Sequence, residues 1–485
     1  MFSPQSYQTN NFNLEQDNNK SLNNSNISDN DDEINQSSHE NIVYQTEDYN
    51  VNNSRSSNNE LTISYFGIKG NSILGGILNI SASTIGAGCL SFPWIISTLG
   101  LLNSMFLFSI VTICIYFSID LLRRFVVDTK YFSFSLMTER ILGKKWLMVY
   151  SISSFIYYLS ININYLYLLY GLFRSSFVEH TTFFGFIYLL VTCSIEIFLC
   201  LYTSKTSKIH LFSIITMFAF TLILLVTIIE GMHSFFKNDY KNPKFSKKNL
   251  LNPSEDQSGW QSFFMSITAT IKYIYGYSYH SSFPTLLGNL KNISDVTSMK
   301  VHKISFLIIC GSYIIISFFG YLINDIVPKL LYRGYEDSNE NFKFSVVLKI
   351  IIFVFLFSLI PSRYITIRDG YTSLIGQKKL TYKIDLLITT LSIILSNGII
   401  FLSEEVINDE RFELDIFAVF VYFFGGLFGA IICFGLPVIN YAAINGKKKL
   451  KSIIGYSITG VFMVVGLFSF GYSFYEMFIY KENDE

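Results

Sequence analysis

The chain is predicted to be an all-α polytopic membrane protein with about eleven transmembrane helices. Half of its 485 residues are hydrophobic, with 47 Phe and 32 Tyr, and only 15% are charged. Soluble chains carry about 25% charged residues, so the missing charge implies long segments that never meet water. Eleven apolar runs in the sequence approach the roughly 20 helical residues that a bilayer core demands. There is no regular series of ten-residue alternating segments, which removes the closed barrel, the other structure that lipid tolerates.

The elements follow in order. Residues 1–60 hold sixteen Asn and ten Asp/Glu against Lys20 and Arg55. So few large apolar side chains cannot offset the entropy of ordering. Residues 1–65 are therefore expected to be a disordered acidic cytosolic tail, and 66–485 the transmembrane domain. The tail lacks the short basic-then-apolar opening of a cleaved signal, leaving the first span to act as an uncleaved one. The spans are expected at about 71–96, 99–122, 146–173, 182–203, 209–231, 259–287, 304–327, 344–362, 384–402, 414–441 and 452–479. With a cytosolic N-terminus the inward loops hold 20 Lys/Arg and the outward segments 11, which favours that orientation. The Asn-x-Ser/Thr sequons outside the spans lie in the tail or at Asn292, on the same side. All six cysteines fall inside apolar runs, so no disulfide framework is implied. The net charge is zero and the excess of positive charge after the tail lies in loops, so the lipid bilayer is the expected partner and nucleic acid is not.

Two spans, five apart in the count, look breakable near mid-membrane. The first carries Gly86, Gly88 and Pro93 and the sixth Gly276 and Pro284. Gly costs about 1 kcal/mol in a helix interior and Pro about 3, so such helices unwind where the freed backbone finds another partner. Matched interruptions in two halves are the mark of inverted-repeat transporters, whose half-helix N-termini face an anionic group while freed carbonyls hold a cation or an ammonium. Spans 1–5 and 6–10 then form the two repeats. The bland reading is close helix packing around small residues; the matched placement argues against it. The expected substrate-binding residues are Ser83, Thr84, Gly86, Ala87, Gly88, Cys89, Gly276, Tyr277, Tyr279 and His280. A Cβ at Gly88 is expected to obstruct both the turn and a substrate.

Ionisable residues within spans are expensive and point to function. His280 and Glu196 are the proton-coupling candidates, His280 because imidazole titrates near neutrality. A neutral packing histidine is the competing reading of His280. A structural ion pair or snorkelled charge is the competing reading of Glu196, and also of Lys272. Tyr273, Tyr275, Tyr277 and Tyr279 could gate an amine by cation–π contact, or simply pack. Asn162 and Asn164 read as hydrogen-bond glue between helices. Neither a cofactor nor a metal is expected.

The stretch Gly86-Ala87-Gly88-Cys89-Leu90-Ser91-Phe92-Pro93, followed by Gly100, resembles the first-helix signature of the amino acid/auxin permease family. Gly276-Tyr277-Ser278-Tyr279-His280-Ser281-Ser282-Phe283-Pro284 resembles the sixth helix of that family's vacuolar and vesicular branch. Gly429-Ala430-Ile431-Ile432-Cys433-Phe434-Gly435-Leu436-Pro437, then Tyr441, is similar to its tenth helix. The resemblance covers about 70–480. It implies a leucine-transporter-like 5+5 inverted repeat with broken helices 1 and 6, and secondary active transport of amino acids or related small amines, often coupled to protons or sodium. The membrane is then the plasma membrane or an acidic vacuole or endomembrane. Sodium-coupled members place an Asn three residues after the position of Asn79, and a Thr in helix 8 upstream of a Pro-x-Arg. Here stand Ala82 and, upstream of Pro361-Ser362-Arg363, the apolar run Ile351 to Phe355. Proton coupling or exchange is therefore expected over sodium symport, with neutral amino acids as substrates. The alternative reading is a channel or nutrient-sensing receptor on the same fold, yet no filter sequence or ring of pore charge appears. No HExxH, GxSxG or acidic pair at a membrane face suggests an enzyme.

Overall fold

The computed structural model describes residues 64–65, 68–69, 71–174, 182–202, 206–237, 259–323, 331, 342–375, 382–402 and 420–478. The expected tail falls almost wholly outside them. A hairpin of β1 (Ser64–Tyr65) and β2 (Ile68–Lys69) leads into a domain that is otherwise helical among the described residues. Ser72 caps α1 (Ile73–Thr84) by accepting from the Gly75 amide at 3.0 Å. After Gly86 a 3-10 turn, Ala87–Ser91, leads into α2 (Phe92–Leu99), which Pro93 opens from a first-turn position where its missing N–H is not needed. Gly100, at φ 82, turns the chain into α3 (Leu101–Thr129). Then come α4 (Phe134–Leu142), α5 (Lys144–Arg174), α6 (Thr182–Tyr202) and α7 (Thr206–Lys237).

The second half begins with α8 (Gly259–Gly276), breaks, and resumes as α9 (Phe283–Gly288), again with a proline, Pro284, in the first turn. It continues through α10 (Asp295–Ile323), α11 (Phe342–Ile375) and α12 (Tyr382–Phe401). The next span alternates between π and α: π turns at Phe420–Phe424 and Ile431–Gly435 flank α13 (Gly425–Ala430), before α14 (Leu436–Asn445) and a final α15 (Leu450–Phe478). The second π turn lies in the stretch similar to the family's tenth helix. A π turn leaves carbonyls without their usual partners, and Ser118 of α3 donates to one of them, on Cys433.

Among the described residues, seven helices are long and apolar enough to cross a membrane, or eight when the pair Ile73–Thr84 and Ala87–Leu99, bent by 53°, counts as one broken span. Two further expected spans fall on shorter apolar helices, Gly185–Cys200 and Leu386–Phe401. The sixth is divided by its break. Large apolar side chains such as Phe106, Phe218 and Leu307 are about 70% exposed, as lipid-facing residues are, while Asn, Ser, Thr and Tyr are concentrated inside. The protein is an integral multi-pass membrane protein. Two sequence boundaries shift. The second span runs on to Thr129, and the eighth passes through Pro361 to Ile375 instead of ending at 362. Arg363, expected in a loop, is thereby drawn inside.

Candidate functional site

The two breaks meet. Gly86 takes an extended conformation (φ −124, ψ 178) between α1 and the 3-10 turn, and residues 277–282 separate α8 from α9. A Cβ built on Gly88 would lie 3.5 Å from the Gly276 Cα, so the two backbones approach without side chains between them. Tyr313 of α10 ties them together, its hydroxyl lying 3.3 Å from the Thr84 carbonyl and 2.5 Å from the Gly276 carbonyl. Freed backbone acceptors of both half-helix ends are thus satisfied by one donor.

Arg363, 2% exposed, reaches the same place from α11. It donates to the Ser278 carbonyl within the second break at 2.8 Å and to the Tyr165 hydroxyl of α5 at 3.0 Å. The Tyr165 hydroxyl in turn abuts Gly86 so closely that any Cβ there would collide with it. A cavity borders this cluster on the α1/α9 side, lined by Asn79 and Ser83 of α1, Ser213 and Thr216 of α7, Thr285 of α9, and Ser362, Arg363 and Asp369 of α11. Its wall is fixed by paired polar groups: the Asn79 side-chain oxygen meets His210 Nδ1 at 2.9 Å, and Thr216 meets Ser358 at 2.7 Å.

The α2/α8 side is filled. Phe92 packs edge-on against Tyr273 (5.0 Å) and Tyr313 (5.2 Å), and the Lys272 ammonium lies 3.9 Å from the centre of the Trp94 ring. Such a stacked cation is worth about 2 kcal/mol when desolvated. Two half-helices, one from each repeat, are clamped there.

Most residues expected at the site are indeed at the breaks, with varied surroundings. Ser83 and Thr84 donate to the Ile80 carbonyl of their own helix, and Cys89 turns its thiol back to the Gly86 carbonyl. Ala87 and Cys89 are fully buried. Gly276 abuts Phe92, whose ring tip a Cβ would meet at 2.7 Å. Tyr277 is engaged in packing: it stacks on Phe306 at 5.8 Å and its hydroxyl meets Thr112 at 3.0 Å. Tyr279 packs on Phe283, and its hydroxyl is buried without a hydrogen-bond partner among the described residues.

The proton candidates are not brought together. His280 is completely buried beside Tyr279, and neither ring nitrogen has a partner among the described residues. His302, a buried imidazole in the same state, stacks on Tyr116 at 4.8 Å. Glu196 lies instead between α6 and α12, where it accepts from Asn397 at 3.2 Å, and Asn397 in turn accepts from Thr192. Lys272 is on Trp94, and Asn162 donates to Tyr364 of α11 at 2.9 Å, a helix-to-helix link as expected.

Tyr165, His210, Tyr313 and Arg363 escaped the sequence reading. Only the Pro361-Ser362-Arg363 triplet pointed toward one of them.

Residues 69–479 match the family described as transmembrane amino acid transporter protein. No curated protein sequence matches the chain. Among solved structures it is similar to a Na+-coupled sialic acid symporter in a substrate-bound outward-open state, at 12% identity and a TM-score of 0.51, covering 86% of this chain and 95% of that one. At that identity the likeness speaks for the fold alone, and there it agrees with the leucine-transporter-like architecture expected from the broken spans.

Proposed function

The chain belongs to the transmembrane amino acid transporter family, and from that premise we propose that it carries amino acids across the membrane by alternating access around the paired breaks, without sodium. The observation that carries this reading is the junction itself: two interrupted helices joined by Tyr313, with a polar cavity on one side and packed aromatics on the other. Alternating access requires a site that communicates with one face while the other is shut. With the tail in the cytosol, as the loop charges favour, this arrangement is closed outward and its cavity lies on the inward side.

Proton coupling or exchange follows from the side chains. Sodium prefers several oxygen ligands, and Ala82 and the apolar 351–355 run offer none. His280 and Glu196 remain the proton-handling candidates, His280 next to the break and Glu196 acting at a distance through the α6/α12 pair. Neutral substrates suit a cavity whose described acidic lining residue, Asp369, stands six residues beyond Arg363, about 9 Å along the helix. The membrane is the plasma membrane or that of an acidic vacuole or endomembrane. The family and the fold point to a carrier.

The test is uptake by proteoliposomes of labelled amino acids, with proton and sodium gradients imposed separately. Replacing sodium by choline should leave uptake within about twofold, and collapsing a pH gradient should slow it when protons drive the cycle. Strict sodium dependence would overturn the coupling assignment. A rate set only by amino acid on the far side would leave exchange as the mechanism.

A further inference from the structure

Resting on that transport reading, we propose that Arg363 is the anchor for the carboxylate of the transported amino acid. Its guanidinium is buried at the junction of the breaks, where its two terminal nitrogens donate to the Ser278 carbonyl and the Tyr165 hydroxyl. Nε has no partner among the described residues. Arg123 and Arg124 pair with Asp120 and Asp295, whereas no ion pair among the described residues reaches Arg363. A buried positive charge is thus met, among the described residues, by two neutral oxygens and by the Tyr165 ring, 5.6 Å from the guanidinium carbon.

Neutral acceptors satisfy donors without compensating charge, and an uncompensated ion in a low-dielectric interior is far more costly than a hydrogen bond repays. In a membrane span such a group is retained because the working cycle needs it. What compensates it must be an anion that reaches the guanidinium from the cavity Arg363 lines. A carboxylate fits best: it is planar, carries two oxygens, and matches the fork of a guanidinium.

The first break lies against the same group, since a Cβ on Gly86 would be 3.5 Å from Arg363 Nη2. A carboxylate at Arg363 therefore also lies beside the half-helix that begins at Ala87. Arg363 adds to this site a formal charge that half-helix amides alone do not supply.

Proteoliposome uptake of the common amino acids identifies the best-transported one. Competition by that free acid, its methyl ester and its decarboxylated amine is then compared in the wild type, Arg363→Gln and Arg363→Lys. The wild type should favour the acid over the ester by about tenfold or more, and Arg363→Gln should bring the two within about twofold by weakening the acid alone. Arg363→Lys, which keeps the charge and loses the fork, should fall between. An equal loss for acid and ester, or an unchanged preference, would show that Arg363 is structural and overturn the inference while the transport reading stands. Uptake of none of the amino acids by the wild type would overturn the transport reading and this inference with it. Should Arg363→Gln fail to fold, Arg363→Lys carries the comparison. A cryo-electron microscopy structure of the wild type with the amino acid supplies a readout free of substitutions: carboxylate oxygens within about 3.2 Å of Arg363 nitrogens support the assignment. A carboxylate held by the α2-side amides alone would overturn it.

Discussion

Gly86 and Gly88 are separated by one residue, yet their surroundings differ sharply. A Cβ on Gly86 collides with the Tyr165 hydroxyl, which Arg363 holds in place, whereas on Gly88 it makes only ordinary contact with the Gly276 backbone at 3.5 Å. Within the protein itself Gly86 is thus the tighter of the two positions, and a single Cβ at Gly88 meets no clash. At equal density of inserted protein, Gly86→Ala should weaken apparent substrate affinity by about tenfold or more, because pushing Tyr165 aside disturbs one or two charge-assisted contacts, each ~1.5–3 kcal/mol. Gly88→Ala should stay close to wild type, and the reverse order of effects would place the critical approach at Gly88. The glycines were legible in the sequence because each is costly inside a helix and so marks a place where the helix can break. Arg363 was not, because a proline that ends helices in water is tolerated inside membrane helices. The span was therefore read as ending at 362, and the cation after it as a loop charge. Nor could composition tell that the hydroxyls of Ser83 and Thr84 bond to their own helix, since local back-bonding and pocket lining use the same residues.

Among the elements that meet at the breaks, α10 ties the two together through one hydroxyl. Tyr313→Phe keeps the ring that packs on Phe92 and Tyr277, each at 5.2 Å, and removes the donor shared by the Thr84 and Gly276 carbonyls. Leaving a buried carbonyl unsatisfied costs about 1–3 kcal/mol. The variant should unfold at lower temperature in detergent and show slower uptake at saturating substrate; unchanged values in both assays would mean that the breaks do not rely on Tyr313. The breaks themselves were readable from glycine and proline, whose helix penalties are local and intrinsic. The partner that fills them was not, because Tyr313 lies far away in sequence and tyrosine is abundant throughout the chain. The short α4 was read as part of a loop because nine residues fall well below the length of a span. The π turns of the tenth span were equally hidden, since they arise from a single extra residue per turn and leave no mark on hydropathy.

At the scale of the whole molecule the two membrane faces differ in kind. Lys272 on Trp94 clamps the α2/α8 side, and on the other side Arg123, itself fully buried, joins Asp120 of its own helix to Asp295 at the start of α10. Arg123 and Arg363, both counted among the 20 inward charges, are buried inside helices, and setting them aside leaves 18 against 11, so the proposed cytosolic N-terminus still rests on a margin in the sequence. The match to the family begins at residue 69, and every residue placed at the junction of the breaks lies beyond it. The tail lies outside the family match, so its proposed role is confined to trafficking or regulation. Deleting residues 1–55 should therefore leave insertion intact and uptake per inserted molecule within about twofold of the full chain, since polar termini without a core of their own tolerate truncation. Surface or vesicle density has to be verified in parallel, because a trafficking defect lowers total uptake without touching the cycle. Loss of uptake by correctly inserted, truncated protein would instead make the tail a working part of the transporter, and the assignment of the whole cycle to the helical domain would fall.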